Sequence, residues 1–401
     1  MPDTRADSPA VVVLLTELVA LGPLSTDLYL PSLPHIARAF ATDAGTVQLT
    51  LSVFMAGFAL SQLVYGPLSD RFGRRPVLIG GVSLYLAASV ACALAPSMAA
   101  LIGFRLLQAV GACAGPVLAR AVVRDVFGRT RAATVLAYLA MAMALAPAFG
   151  PILGGYLQVW FGWPAAFVAL AAVAAVNLVA TCVLLPETNR WRDPSATRPR
   201  RLLANYRSLA ADRRYRGYVA VMALAFSGIF AFISGSSFVL IDGLGLSPAA
   251  FGVSFAAIVA GYIAGNFATA RLSARLGIDR MIRLGHVALL AGGLSGGALA
   301  LVGAHSVASV IAPMAVYMVG TGLVLPNAIA GAVGPYPTMA GAASALLGFV
   351  QMSLAAAVGV LVGQLSDGRP HGMALTIAAL AVLVFAAERR ILRPLVSASA
   401  G

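Results

Sequence analysis

The sequence predicts an all-α polytopic membrane protein, twelve transmembrane helices in two six-helix halves. Three observations predict it. Of the 401 residues, 60% are hydrophobic and only 10% are charged, against roughly 45–50% and about 25% in a soluble domain. The apolar residues form continuous runs long enough for helical spans, which need about 20 residues each; a barrel would alternate apolar and polar residues. The basic residues are sorted to one side of those runs. With a mean hydropathy of +0.91, a soluble globular chain, a disordered chain and a disulfide scaffold are all excluded.

Taken in order, the runs fall at 10–31, 46–66, 77–95, 99–119, 133–157, 164–185, 217–240, 249–271, 282–303, 307–329, 340–363 and 371–392. Connections such as Ala95-Pro96-Ser97-Met98 and Trp160–Pro164 are short and rich in turn formers. The longest, Pro186–Arg216, carries nine Arg together with Pro194, Ser195 and Pro199 and reads as a surface linker. It divides the chain into a tail (1–9), a first bundle (10–185), the linker (186–216), a second bundle (217–392) and a tail (393–401). Leu68-Ser69-Asp70-Arg71-Phe72-Gly73-Arg74 after run two returns as Leu272-Ser273-Ala274-Arg275-Leu276-Gly277-Ile278 after run eight. That register suggests a parallel six-helix repeat, with a central cavity between the halves.

All 27 basic residues are Arg, and the formal net charge is +13. The tails and the connections after even-numbered runs hold 24 of the 27 Arg and nine of the 14 acids, a net +15. Arg38 and Arg369 fall on the other face, and Arg105 lies inside a run. The positive-inside rule places both termini in the cytoplasm. The basicity is therefore a topology signal with some attraction to anionic lipid, and nucleic acid is not expected as a partner. The composition points to a bacterial source and its inner (cytoplasmic) membrane. Cys92, Cys113 and Cys182 lie within apolar runs and read as small hydrophobes, without metal spacing or a disulfide framework. No cleavable signal peptide is read, because the first run is too long and carries Glu17 and Asp27.

Four stretches carry chemistry. In Gly66-Pro67-Leu68-Ser69-Asp70-Arg71-Phe72-Gly73-Arg74-Arg75-Pro76, Gly73 permits a tight turn, an acid is placed to cap a neighbouring helix, and Arg is placed to pair with acids on another helix. In run four, Phe104-Arg105-Leu106-Leu107-Gln108 puts a guanidinium in hydrocarbon at a cost of at least ~2.5 kcal/mol unless it faces a polar interior or snorkels. Gln108 lies on the same face at i+3, and Ala109, Ala112 and Gly115 continue a small-residue stripe. In run five, Pro147, Pro151 and Gly155 fall at i, i+4 and i+8, and Gly150 and Gly154 form a small-xxx-small pair. This is a kinkable helix with one bare face, suited to close contact or to plain helix packing. The fourth stretch is Thr26-Asp27-Leu28-Tyr29-Leu30-Pro31-Ser32-Leu33-Pro34, at the end of run one.

The first three stretches resemble signatures of the major facilitator superfamily. With the fourth, Arg124-Asp125 and Gly341-Ala342-Ala343-Ser344-Ala345-Leu346-Leu347-Gly348, the chain looks like the Bcr/CflA group of twelve-span drug/proton antiporters from about residue 10 to 393. The resemblance implies a major facilitator fold and export of small apolar or amphipathic drugs, such as phenicols or bicyclomycin-like compounds, by alternating access. It implies a gating latch at Gly66, Asp70, Arg71, Gly73, Arg74, Arg124 and Asp125, made asymmetric by Ala274 in the second copy. It implies a buried Arg105 connected with proton coupling. Pro147, Gly150, Pro151, Gly154 and Gly155 would seal the pathway between the bundles, as in the antiporter branch.

Glu17 and Asp27 are the acids read inside the apolar runs, and each is costly unless protonated or paired. Asp27 and Arg105 lie at similar depth, so a pair is geometrically plausible, with Asp27 titrating and Arg105 modulating it; Asp27 as a helix-end cap is the alternative. Glu17 is a candidate to carry the proton or bind a cationic substrate, unless it lies at the cytoplasmic interface. Substrate-binding candidates are Glu17, Tyr138, Met141, Asn177, Phe226, Phe230, Tyr262, Asn266, Asn327 and Gln351. Aromatic and Met side chains suit varied apolar ligands. His35, His286, His305 and His371 sit at or near run ends, which argues against a histidine relay. No Walker loop, metal-spaced set or nucleophile elbow is present, so ATP-driven pumping within this chain is excluded; the resemblance implies the proton as coupling ion, with no cofactor, and a monomer suffices for the fold. The alternatives are an exporter of a physiological metabolite, such as an amino acid or sugar, and a non-transporting receptor or scaffold.

Overall fold

The computed structural model describes residues 8–127, 129–189, 191–366 and 368–392. The tails 1–7 and 393–401 lie outside the described residues. The rest holds twelve helices long and apolar enough to span a membrane: Pro9–Ala39, Ala44–Phe72, Arg74–Ala93, Met98–Val126, Arg129–Phe161, Pro164–Leu184, Arg213–Gly243, Pro248–Leu276, Ile278–Leu301, Val307–Val333, Ala340–Gln364 and His371–Ile391. They are called spans one to twelve below. Pro9 marks the Arg-rich end of span one and Ala39 the far end.

Span one runs eight residues past the end of its apolar run. Its α-helix stops at Asp27, a 3-10 turn covers Leu30–Ser32, and a second α-helix covers Leu33–Ala39. Pro31 and Pro34 each occupy the first turn of a new segment. Proline is tolerated there, because its missing N–H has no intrahelical partner to lose. The path therefore bends without ending.

The two halves use the same set of pairings. Spans three and four pack together, as do nine and ten; two on four matches eight on ten; three on six matches nine on twelve; one on five matches seven on eleven. The close approaches recur as well. Gly111 abuts the backbone of Tyr85, and Gly320 abuts that of Leu289. Gly73 (φ 106, ψ 156) turns span two into span three, and Gly277 (φ 79, ψ 160) turns span eight into span nine. Both angles lie where a side chain is strained, which is why the repeated register keeps Gly at that place.

Between the halves, the main seams are span two on span eleven and span five on span eight. The helix Pro199–Ala211 of the linker packs on span eleven, and its Tyr206 donates a hydrogen bond to the Leu63 carbonyl of span two (3.4 Å). It thus touches both halves at the Arg-rich end. Asp212 then caps span seven, accepting from the Arg214 and Tyr215 amides (2.7 and 3.2 Å). The Tyr336 hydroxyl also donates to Asp212, and these bonds hold the carboxyl below its usual range, Tyr336 foremost.

One helix contact is bare enough to test by volume. A Cβ on Gly154 would run into the Leu28 carbonyl, and one on Gly150 would stand 3.0 Å from the Asp27 Cβ. Overpacking of this kind costs about 1–3 kcal/mol. Gly154→Val is therefore expected to lower the thermal unfolding temperature in detergent by several degrees. Gly66→Ala has nothing within 4 Å of the added atom and is expected to leave the unfolding temperature unchanged.

Candidate functional site

Asp27 is the last residue of the first α-helix, just past Pro23, and is 2% exposed. The Thr26 hydroxyl donates to its Oδ1 (3.1 Å). Among the described residues no backbone N–H caps it, so the helix-end cap is not what the side chain does here. A helix C-terminus also carries the negative end of the dipole. Span five forms the wall: Gly150 and Gly154 lie on the backbone of Asp27 and Leu28, and Gly155 lies on Pro248 and Ala249 of span eight. Gly252 of span eight returns the contact on Pro151 and Ile152. The run-five motif thus presents one face to the acid-bearing span and another to the opposite half.

Arg105 is fully buried, without a carboxylate within ion-pair distance among the described residues. The expected Asp27–Arg105 pair is not formed. The guanidinium instead donates to the Ser25 carbonyl (3.0 Å) and to Gln108 Oε1, with a long contact to the Thr50 carbonyl (3.5 Å). It lies over Tyr29 and Phe54, with ring centroids at 4.4 and 4.3 Å, and near Phe167 at 5.8 Å. Each such contact is worth about 0.5–2 kcal/mol when desolvated, so ring faces and carbonyls replace the missing anion. Gln108 passes the network to Ser89 (2.8 Å), and the Tyr85 hydroxyl meets Ser25 Oγ (2.6 Å). Spans one, three and four are locked together behind Asp27. One guanidinium nitrogen, Nη2, has no partner.

The residues expected to form a latch at the Arg-rich end make a polar cluster within the first half. Arg74 reaches Asp125 Oδ2 through Nε (2.9 Å), and its Nη1 donates to Asp70 Oδ1 and to Ser69 Oγ. The acid that caps span three is Glu187, which accepts from the Arg74 and Arg75 amides (2.9 and 3.3 Å); Asp70 pairs with Arg74 instead. Arg71 binds Thr197 (2.8 Å), and Asn189 donates to the Ser69 and Asp70 carbonyls. The linker, which reads in sequence only as a surface connection, is thus docked on the turn between spans two and three. Arg124 is exposed, and Gly66 makes no close approach.

At the far end the halves are joined by an ion pair that the sequence reading did not single out. Arg38 Nη1 of span one stands 3.6 Å from Asp242 Oδ1, in the π-helical last turn of span seven. Span five leaves large side chains exposed along its whole length, Tyr138, Met141, Met143 and Leu145 toward the Arg-rich end and Phe149, Leu153, Trp160 and Phe161 toward the far end.

The other candidates are spread across this frame. Glu17 lies eight residues inside span one, about 12 Å from its start by helical rise, so it is within the span and not at its edge; it is exposed. Asn177 is fully buried on span six, which packs on spans one, three and five. It lies inside the first half, not between the halves. Asn327 is held by Ser273 and by its own helix, and Asn266 binds the Tyr262 carbonyl. Phe230 and Gln351 are buried, and Phe226 and Tyr262 are half-buried. Among the described residues no group of three His, Cys, Asp or Glu is placed to hold a metal.

Comparison with known proteins follows the same lines. The model of the Major Facilitator Superfamily matches residues 18–360. The chain is 30% identical over 376 residues to the bicyclomycin resistance protein homolog of Haemophilus influenzae, covering 93% of each. It is 32% identical over 361 residues to a chloramphenicol resistance protein of Pseudomonas aeruginosa, covering 89% of this chain and 84% of that one. It is 29% identical over 341 residues to multidrug resistance protein D of Escherichia coli, covering 85% of each. Among solved structures, a D-xylose–proton symporter superposes with a TM-score of 0.76 at 13% identity over 94% of this chain and 97% of that one, a likeness of fold.

The ion pair across the far end yields a direct test. Its side chains are 62% and 41% exposed, and such pairs are worth about 0.2–1 kcal/mol. Asp242→Asn is expected to raise the population open at the far end by up to about fivefold, read as the distance distribution between spin labels on the far-end loops. The exchanged pair Arg38→Asp with Asp242→Arg is expected to restore the original distribution.

Proposed function

The chain belongs to the Major Facilitator Superfamily, and we propose that it exports small apolar or amphipathic drugs in exchange for protons by alternating access. The names of the relatives support the substrate class. The observation that carries the coupling is Asp27: a buried carboxyl with one hydroxyl donor, at the junction of spans one and five beside the seam with span eight. An isolated carboxylate there is too costly to keep ionised without compensation. A group whose hydration changes as the seam opens is able to load and release a proton. The sorting of Arg puts the Arg-rich end and both termini in the cytoplasm.

On this reading the structure is closed toward the periplasm, through Arg38–Asp242 and the glycine contacts of spans five and eight. Drug enters from the cytoplasm, where Tyr138 and Met141 of span five are exposed. Glu17, exposed within span one, meets a cationic substrate. Tyr138 and Met141 supply adaptable apolar surface on span five, and Phe226 and Tyr262 supply it on spans seven and eight. Drug binding in the cytoplasm-facing state releases a proton from Asp27; reprotonation from the periplasm resets the protein. One proton crossing 100 mV supplies about 2.3 kcal/mol, and one pH unit adds about 1.36 kcal/mol. That limits a one-proton cycle to about a 400-fold drug gradient.

A fluorescent ΔpH assay in inside-out vesicles tests the proposal, with phenicols, bicyclomycin, lipophilic cations and amino acids as the panel. Drug-dependent proton release by the wild type, abolished in a folded Asp27→Asn variant, is the expected result. Undiminished export by Asp27→Asn would remove Asp27 from the mechanism. A response to an amino acid alone would make the protein a metabolite exporter.

A further inference from the structure

A second pair of buried titratable groups lies in the other half. His286 is two turns into span nine, and Glu388 opens the π-helical end of span twelve, which also packs on span seven. Their side chains are 3% and 8% exposed, with His286 Nδ1 standing 4.0 Å from Glu388 Oε2. Neither ring nitrogen of His286 has a hydrogen-bond partner. A buried polar atom left unpaired costs about 1–3 kcal/mol, and ionisable groups inside a membrane bundle mark ion pathways more often than packing.

Other charges stand on the elements packed here, Arg213 and Arg216 at the start of span seven among them, and Glu388 makes a further contact besides the one with His286. Asp279, in the first turn of span nine, takes the hydroxyl of Tyr218 on span seven (2.8 Å). Arg214 lies over the Tyr218 ring and Arg389 over the Phe385 ring, at 6.0 and 4.6 Å. Arg280, Arg283 and Arg390 are on spans nine and twelve at the same end, and span ten contributes only Tyr317, whose hydroxyl binds the Ala225 carbonyl. Glu388 is the acid that faces the imidazole.

We propose that His286 and Glu388 form a second proton-binding site, which clasps spans nine and twelve when loaded. A proton taken from water onto the imidazole places a charged N–H opposite Oε2, and the 4.0 Å approach closes into a charge-assisted hydrogen bond. Return of the proton to water leaves a neutral ring with its nitrogens unpaired, a state that water entering this end would stabilise. Loading therefore favours close contact of spans nine and twelve, and release favours its loosening. The role in transport rests on the proton-coupled reading above; the site itself does not.

Two measurements separate them. In lipid nanodiscs, nitrogen NMR of a His35→Gln, His305→Gln, His371→Gln protein follows His286 alone. His286 is expected to change charge on acid titration of the folded protein, with a curve displaced by about one pH unit or more in Glu388→Gln. Superimposable curves, or a ring that stays neutral throughout the range in which the protein remains folded, would overturn the site. In the vesicle assay, His286→Gln is expected to release fewer protons per drug than wild type while still binding drug. An unchanged proton count would overturn its part in coupling. Absence of drug-driven protons in the wild type itself would instead sink the exporter reading and leave the NMR result to decide the site.

Discussion

Spans one, five and eight meet with almost no side chains between them, and the rest of the structure depends on that contact. Gly150 and Gly154 bring span five onto the backbone of Asp27 and Leu28, while Gly155 and Gly252 bring it onto span eight. In an apolar solvent, helices gain nothing from hiding apolar surface, so close backbone approach and interhelical hydrogen bonds do the joining. One helix therefore contacts the buried acid on one face and the opposite half on another. A movement of the halves at this seam has to pass through the surroundings of Asp27.

The buried charges of the first half are stabilised in three different ways, and the comparison singles out Asp27. Arg74 has two carboxylates and a hydroxyl. Arg105 has a carbonyl, a glutamine and two ring faces within 4.5 Å. Both are fixed points, rigid parts of the bundle behind the acid. Asp27 has one neighbouring hydroxyl. Its surroundings offer the least compensation, so its protonation state is the one most open to change when the surroundings change.

Much of this was legible in the sequence, because a bilayer leaves few options. Continuous apolar runs gave the spans, sorted Arg gave their direction, and the recurrence of Gly73 as Gly277 gave the repeat. Gly150 and Gly154 were legible as a bare helix face, and Gln108 as a neighbour of Arg105. What escaped was pairing across long sequence separations. Arg38 and Asp242 are about 200 residues apart, and nothing local marks either as a partner. Glu187 was hidden among the linker's arginines, yet it caps span three. The ring cage of Arg105 comes from spans one, two and six, so equal depth in runs one and four points to Asp27 where the fold supplies aromatics. Glu388 stands at the last turn of its run among surface charges, and His286 stands near a run end, so neither looks buried in sequence; both are buried because spans seven, nine and twelve converge there.

The central claim is that opening at the span five–span eight seam and the protonation of Asp27 are one coupled event. Infrared difference spectroscopy of the Asp27 carboxyl, identified by its loss in Asp27→Asn, measures it directly. The protein would be titrated twice, once free with drug present and once held shut at the far end by a cross-link between Arg38→Cys and Asp242→Cys, with the exposed Cys182 replaced by Ser. The account predicts that the two titrations of Asp27 differ clearly in midpoint. Identical titrations in the free and cross-linked proteins would contradict it.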